Sequence, residues 1–158
     1  QSAGGMTVMD VAGDEDMQAL GAALAQRWPG GGVIYLEGEL GAGKTTFVRG
    51  FMRGLGYTGA VKSPTFTLVE RYDAGGRRVF HLDLYRLNVP QELDFLGVRD
   101  ELDAAALCLV EWPRRGGALL PAPDLTLTFD YGGAGRRVTA VAGTPRGREM
   151  VSELQRTS

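Results

Sequence analysis

The chain has 158 residues, within the roughly 100 to 200 expected of one globular domain, which excludes two enzyme lobes and an ATP-driven helicase or motor. With 44% apolar and 23% charged residues it can bury a sizeable core, which excludes global disorder. A formal charge of −2 leaves no basic field for polynucleotides or anionic lipid, so any role on nucleic acid is indirect.

Residues 1–5 are small and polar and read as an expression remnant or a frayed end, leaving 6–158 as a single domain. Asp14, Glu15 and Asp16 precede Met17, Leu20, Leu24 and Trp28 at helical spacing, which predicts a helix over 14–28 with acids at its positive end. Pro29 and the glycines after it stop that helix. Val33-Ile34-Tyr35-Leu36 is a short apolar run of the kind that forms a buried parallel strand, and Gly38 ends it. From Lys44 to about Leu55, Phe47, Val48, Phe51 and Met52 return to helical spacing.

Thr65 to Tyr72 and Arg78 to Tyr85 alternate with period two around Asp73-Ala74-Gly75-Gly76, which predicts a β-hairpin. In its second arm Phe80, Leu82 and Leu84 share one face, while His81, Asp83 and Tyr85 share the other, polar one. Pro90 opens a helical patch over 91–96, and a second covers 100–106. Leu107-Cys108-Leu109-Val110 reads as another buried strand, ending in Glu111-Trp112-Pro113, where proline stops pairing. Cys108 is the sole cysteine, so no disulfide partner exists within the chain. Leu125, Leu127, Phe129 and Tyr131 alternate with polar residues, glycines turn the chain at 132–135, and Arg137 to Ala142 returns antiparallel. After Arg146 a loosely attached helix is expected. No run of about 18 apolar residues and no charged-then-apolar leader occurs, so the expectation is a soluble, cytoplasmic chain without a membrane role.

Gly38-Glu39-Leu40-Gly41-Ala42-Gly43-Lys44-Thr45 fits G-x-x-x-x-G-K-[ST] at every fixed position. Its glycines let successive backbone N–H groups point inward at phosphate oxygens, and the helix beginning near Lys44 adds its positive end. Lys44 supplies a charge to the β- and γ-phosphates, and the Thr45 hydroxyl suits Mg²⁺, a hard cation that takes oxygen ligands. The motif lies between an apolar strand and an amphipathic helix, the setting its chemistry requires. Lysine is also scarce, 2 residues against 15 arginines, which draws attention to Lys44 and Lys62.

Such a site needs acids for the metal and the attacking water. Glu111 ends a buried strand and so emerges at the carboxyl edge where parallel sheets place ligands. Asp83, on the polar face of the hairpin arm, is the second candidate, and which of the two orients the water stays open. Thr65, after Lys62-Ser63-Pro64, is placed to sense a γ-phosphate as switch loops do. His81, the sole histidine, reads as a strand residue near the site, since one imidazole and one cysteine do not make a zinc site. The base reader of a GTPase is missing, because the sole asparagine, Asn88, precedes Val89. Asp94-Phe95-Leu96-Gly97 matches a short D-x-x-G pattern by chance, in a polar stretch.

Four blocks together, Gly38 to Phe47, Val61 to Glu70, His81 to Leu87 and Leu109 to Pro113, resemble the TsaE (YjeE-type) family in order and spacing, over about Asp14 to Arg137. The fold expected is α/β: a P-loop NTPase, a three-layer sandwich around a mixed, partly parallel sheet with an antiparallel hairpin. The resemblance implies an ATPase required for threonylcarbamoyladenosine at position 37 of tRNA, which joins the TsaB–TsaD heterodimer and resets it by Mg²⁺-dependent ATP hydrolysis, meeting tRNA only indirectly. It implies nucleotide contacts along Gly38, Glu39, Leu40, Gly41, Ala42, Gly43, Lys44, Thr45 and Thr46, and Trp112 packed beside the site. By the same resemblance Thr45, Glu111 and Asp83 surround the metal, and Thr65 lies in the switch-like loop. One departure is Met17, where the family often has a threonine near the adenine. No arginine is marked by a motif as a finger, so slow turnover raised by the partner is expected. The alternatives are a small-metabolite P-loop kinase and a nucleotide-dependent interaction module whose hydrolysis is incidental.

Overall fold

The computed structural model describes residues 5–39, 41–92, 97, 101, 102 and 105–157. In chain order the elements are β1 (Met6–Val11), α1 (Asp14–Arg27), β2 (Gly32–Gly38), α2 (Lys44–Gly54), β3 (Val69–Ala74), β4 (Arg77–Asp83), β5 (Leu107–Glu111), β6 (Leu125–Gly132), β7 (Gly135–Ala142) and α3 (Pro145–Thr157). Among the described residues the strands form one sheet in the order β1-β7-β6-β2-β5-β4-β3. Its centre is parallel, with β2 between β5 and β6 and β5 beside β4. Both flanks are antiparallel. The expected α/β class and mixed sheet are what the chain adopts.

Alternation along the central strands divides two cores. Ile34, Leu36, Leu107, Leu109, Leu127 and Phe129 pack against Leu24, Phe47 and Phe51 of α1 and α2. On the other face Phe80, Leu82, Cys108 and Val110 lie under Leu84, Leu87 and Leu120. That third layer is built, among the described residues, from connecting segments and the 3₁₀ turn Pro113–Leu119 that proline starts. Of the helical patches expected over 91–96 and 100–106, residues 93–96, 100, 103 and 104 lie outside the described residues, and with them residues 94–96 of the D-x-x-G match.

Three expectations change. The first hairpin arm begins at Val69, not Thr65. The Leu68 N–H bonds back to the Pro64 carbonyl at 2.8 Å, and Leu68 takes a left-handed φ of 67°, so 65–68 turns before it can pair. The C-terminal helix is firmly attached, because Met150, Val151 and Leu154 are buried in the helix-side core. β1 was not expected at all: Met6 and Val8 are exposed and only Met9 and Val11 are buried. Its strand identity comes from pairing with β7, Met6 opposite Val141, a contact across nearly the whole chain.

α2 is locked to α1 by backbone contact. A Cβ at Gly50 would lie 2.1 Å from the Gln18 carbonyl oxygen, and one at Gly21 would lie 2.3 Å from that of Phe47. No side chain fits there, so the helix that carries the glycine loop is held directly by its neighbour. Gly50→Ala is expected to lower unfolding free energy by about 2 kcal/mol, because overpacking outweighs the roughly 1 kcal/mol gain in helix propensity; a leftward shift of the urea midpoint checks it.

Candidate nucleotide site

The loop joining β2 to α2 leaves the carboxyl edge of the central strand. Gly38, Gly41 and Gly43 have φ of 140°, 81° and 108°, left-handed values that a side chain resists. Gly43 is the residue before α2, and a Cβ there would meet the Met17 methyl at 2.8 Å. Met17 is 1% exposed, so it is a floor under the loop and faces the core. Asp14, at the start of α1, lines the cleft instead.

The parallel register of β4 and β5 sets Asp83 beside Glu111 and His81 beside Leu109. Leu107 and Leu109 face the helices, so Glu111, two residues on, faces that way too, and its neighbours His81 and Asp83 share the face. The polar face expected of the hairpin arm is therefore not solvated: His81, Asp83 and Glu111 are all buried, and so is Lys44. A buried carboxylate requires compensation. Glu111 Oε2 has the His81 Nε2 at 2.6 Å, and Asp83 Oδ1 accepts the Tyr85 N–H at 3.1 Å. Lys44 Nζ donates to the Gly38 carbonyl at 2.5 Å and lies 4.2 Å from the centre of the Trp112 ring.

Burial holds the Lys44 ammonium below its usual range, opposed by Glu111, Asp83 and Glu37. Burial also raises the Asp83 carboxyl, reinforced by Glu111 beside it and opposed by the Tyr85 N–H, His81 and Lys44. The two carboxylates repel each other across one ladder step, an arrangement that a cation between them relieves. Trp112, directly after Glu111, has φ 56° and ψ 52°, strained for a large side chain by about 1–2 kcal/mol. Such strain clusters at functional sites.

One cleft of about 190 Å³ gathers Gly41, Gly43, Lys44, Thr45, Thr46, Thr65, Asp83 and Glu111. Of the other residues singled out from the sequence, Ala42 is buried. Gly38, Glu39 and Trp112 line an adjoining cleft. Leu40 lies outside the described residues. A larger cavity of about 500 Å³ lies at the opposite edge, bordered by Gly32, Ala106 and Asp124, and holds none of these groups.

Besides Asp14, sequence reasoning missed three contributors. Ser63 lines the cleft and its hydroxyl is 2.7 Å from that of Thr65. Tyr72 anchors their loop: its hydroxyl accepts the Lys62 N–H at 2.9 Å and donates to the Lys62 carbonyl at 3.3 Å. Arg136 also lines the cleft, donating to the Gly41 carbonyl at 3.3 Å and stacked 4.3 Å from the Tyr131 ring. The cleft is thus lined by an arginine that no motif marked, tied to the loop backbone and to Tyr131. The β6–β7 return delivers it, and nothing in the sequence separates it from the other arginines.

The donor set fits a nucleotide with a divalent ion. The loop is a cradle of left-handed glycines at a helix N-terminus, suited to phosphate oxygens. Thr45, Asp83 and Glu111 offer hard oxygen donors, and among the described residues no cluster of three or more His, Cys, Asp or Glu side chains forms a metal cage. An ion held by so few protein groups takes its remaining ligands from phosphate and water, the habit of Mg²⁺. No helix among the described residues is long and apolar enough to cross a membrane.

The family model described as threonylcarbamoyl adenosine biosynthesis protein TsaE matches residues 11–138. The chain is 45% identical over 120 residues to the tRNA threonylcarbamoyladenosine biosynthesis protein TsaE of Haemophilus influenzae, covering 76% of each. It is 37% identical over 143 residues to the Bacillus subtilis protein of that name, covering 90% of this chain and 89% of that one. A crystal structure of Bacillus subtilis YdiB superposes with a TM-score of 0.81 at 32% identity, covering 96% of this chain and 95% of that one.

His81→Leu is expected to cost about 1–3 kcal/mol of stability, because it strands a buried carboxylate without its donor. His81→Gln, which keeps an N–H donor, should recover part of the loss in parallel urea titrations.

Proposed function

The chain belongs to the TsaE family, whose part is in threonylcarbamoyladenosine modification of tRNA, and from that premise we propose that it is the Mg²⁺-dependent ATPase subunit of that modification. In this reading it binds the TsaB–TsaD heterodimer and resets that transferase by hydrolysing ATP, acting on tRNA only through it. The observation that carries the reading is the convergence, in one cleft, of the glycine loop with Lys44 and Thr45 and the carboxylates of Asp83 and Glu111. These come from three different connections at one edge of the sheet.

Each residue has a role set by its chemistry. Backbone N–H groups of 41–45 and the start of α2 bind phosphate oxygens. Lys44 neutralises charge on the transferring phosphoryl group, where its partly desolvated ammonium acts with little screening. Thr45 and Glu111 hold the metal, and Asp83, whose burial raises its proton affinity, sits beside the metal or accepts a hydrogen bond from the attacking water. Mg²⁺, when bound there, would offset negative charge on the phosphate oxygens. Thr65 completes the site from the switch-like loop. Hydrolysis by positioning and charge neutralisation requires no protein nucleophile. A cytoplasmic location accords with a tRNA-directed role.

Lys44→Ala is expected to abolish ATP binding or turnover, whereas Glu111→Ala should keep nucleotide binding better than hydrolysis; calorimetry paired with phosphate release separates the two. Normal turnover in Glu111→Ala would remove that residue from the metal site. The isolated chain should release phosphate slowly, and adding TsaB–TsaD should raise the rate. A rate indifferent to the pair, or a phosphorylated small molecule in place of free phosphate, contradicts the proposal.

A further inference from the structure

The three segments that supply side chains to the far side of the cleft also surface immediately afterwards. Thr65 is followed by Phe66, which is 82% exposed. Asp83 is followed, past Leu84, by Tyr85 and Arg86, both exposed. Glu111 is followed by Trp112 and, on the 3₁₀ turn, by Arg115. These surface residues form two groups that meet at the consecutive residues Tyr85 and Arg86. The Arg86 guanidinium lies 4.7 Å from the centre of the Phe66 ring, Arg115 lies 5.8 Å from that of Tyr85, and Tyr85 lies 4.9 Å from Trp112. Among the described residues neither Arg86 nor Arg115 has a carboxylate partner.

A phenylalanine left 82% in water forgoes the stabilisation that burying an aromatic ring brings. Aromatic and arginine side chains side by side are the composition of binding hot spots, in which partner pockets take the rings and partner carboxylates take the guanidinium groups. The row is coupled to the cleft by short covalent and hydrogen-bonded links. Leu68 closes the Phe66 loop by accepting the Asp83 N–H at 3.0 Å, the Tyr85 N–H bonds to the Asp83 carboxylate itself, and the Trp112 ring lies over Lys44. Thr65, Asp83 and Glu111 thus lie one to four residues from this surface.

We infer that the Phe66, Arg86, Tyr85 and Arg115 row is the surface by which the nucleotide-bound chain docks on its protein partner, through an apolar pocket flanked by carboxylates. The inference rests on the proposed partnership with TsaB–TsaD and assigns it a face. The composition also suits stacking on RNA bases, but a net charge of −2 gives the chain no general attraction for a polynucleotide. A triphosphate in the neighbouring cleft adds repulsion toward phosphodiesters.

The test is binding of the full chain to purified TsaB–TsaD in a non-hydrolysable ATP analogue with Mg²⁺, for the unaltered chain, Phe66→Ala, Arg86→Gln and Arg86→Glu. Phe66 and Arg86 are exposed, so the variants should fold and bind the analogue as the unaltered chain does. Phe66→Ala is expected to weaken the complex at least tenfold, and Arg86→Glu to weaken it more than Arg86→Gln, with the gap between them narrowing at high salt. Equal binding by all four chains overturns this surface while leaving the partnership standing. No binding by the unaltered chain overturns the partnership, and this docking surface with it. Shift of tRNA by the isolated chain, lost in Phe66→Ala, would assign the row to RNA and overturn the protein partner.

Discussion

The structure is organised around the burial of one ammonium and two carboxylates at the carboxyl edge of a parallel sheet. Lys44, Asp83 and Glu111 are each 6% exposed or less, and taking such groups out of water costs several kcal/mol apiece unless they are paired and hydrogen-bonded. The neighbours supply only part of that compensation. Gly38 accepts from Lys44, His81 bonds to Glu111, and the Tyr85 N–H bonds to Asp83. Asp83 and Glu111 still repel each other across the ladder. A site in this condition favours a ligand that brings both anionic and cationic charge, as the magnesium nucleotide of the proposed function would.

The proposed chemistry would need that arrangement held by a stiff frame, because a displacement of about 1 Å is enough to spoil phosphoryl transfer. The frame is visible at three points. α2 rests on α1 with backbone against backbone at Gly50 and Gly21. β5 is buried along its whole length and presents Glu111 from its last position. The loop bearing Ser63 and Thr65 is pinned at one end by Tyr72 on Lys62 and at the other by Leu68 on Asp83. The non-glycine residues with left-handed φ among those described, Leu68 and Trp112, sit where these supports meet the cleft. The same short links join the cleft to an aromatic and cationic surface.

Much of this was legible along the chain. The glycine loop, its strand and its helix are local: eight consecutive residues set the backbone angles and the charge, and the 3.6 and 2.0 residue periods on either side mark the elements. Glu111 was legible as the end of an apolar run. His81 was placed near the site, yet its bond to Glu111 could not be seen, because it depends on the register between β4 and β5. Arg136 and Tyr72 were invisible for the same reason: each reaches the site by a return of the chain, and their residue types recur elsewhere in the sequence.

The sequence by itself determined the glycine loop, the class of fold, the hairpin and the two acids that reach the cleft, since each rests on neighbouring residues whose geometry is fixed by backbone stereochemistry and hydrophobic period. Tertiary structure alone decided that β1 is a strand, that the C-terminal helix is docked, that Asp83 and His81 are buried, and that Phe66 stands in water beside Arg86. Those outcomes depend on which surfaces meet across long stretches of chain, and burial is a property of the neighbours a residue acquires, not of the residue.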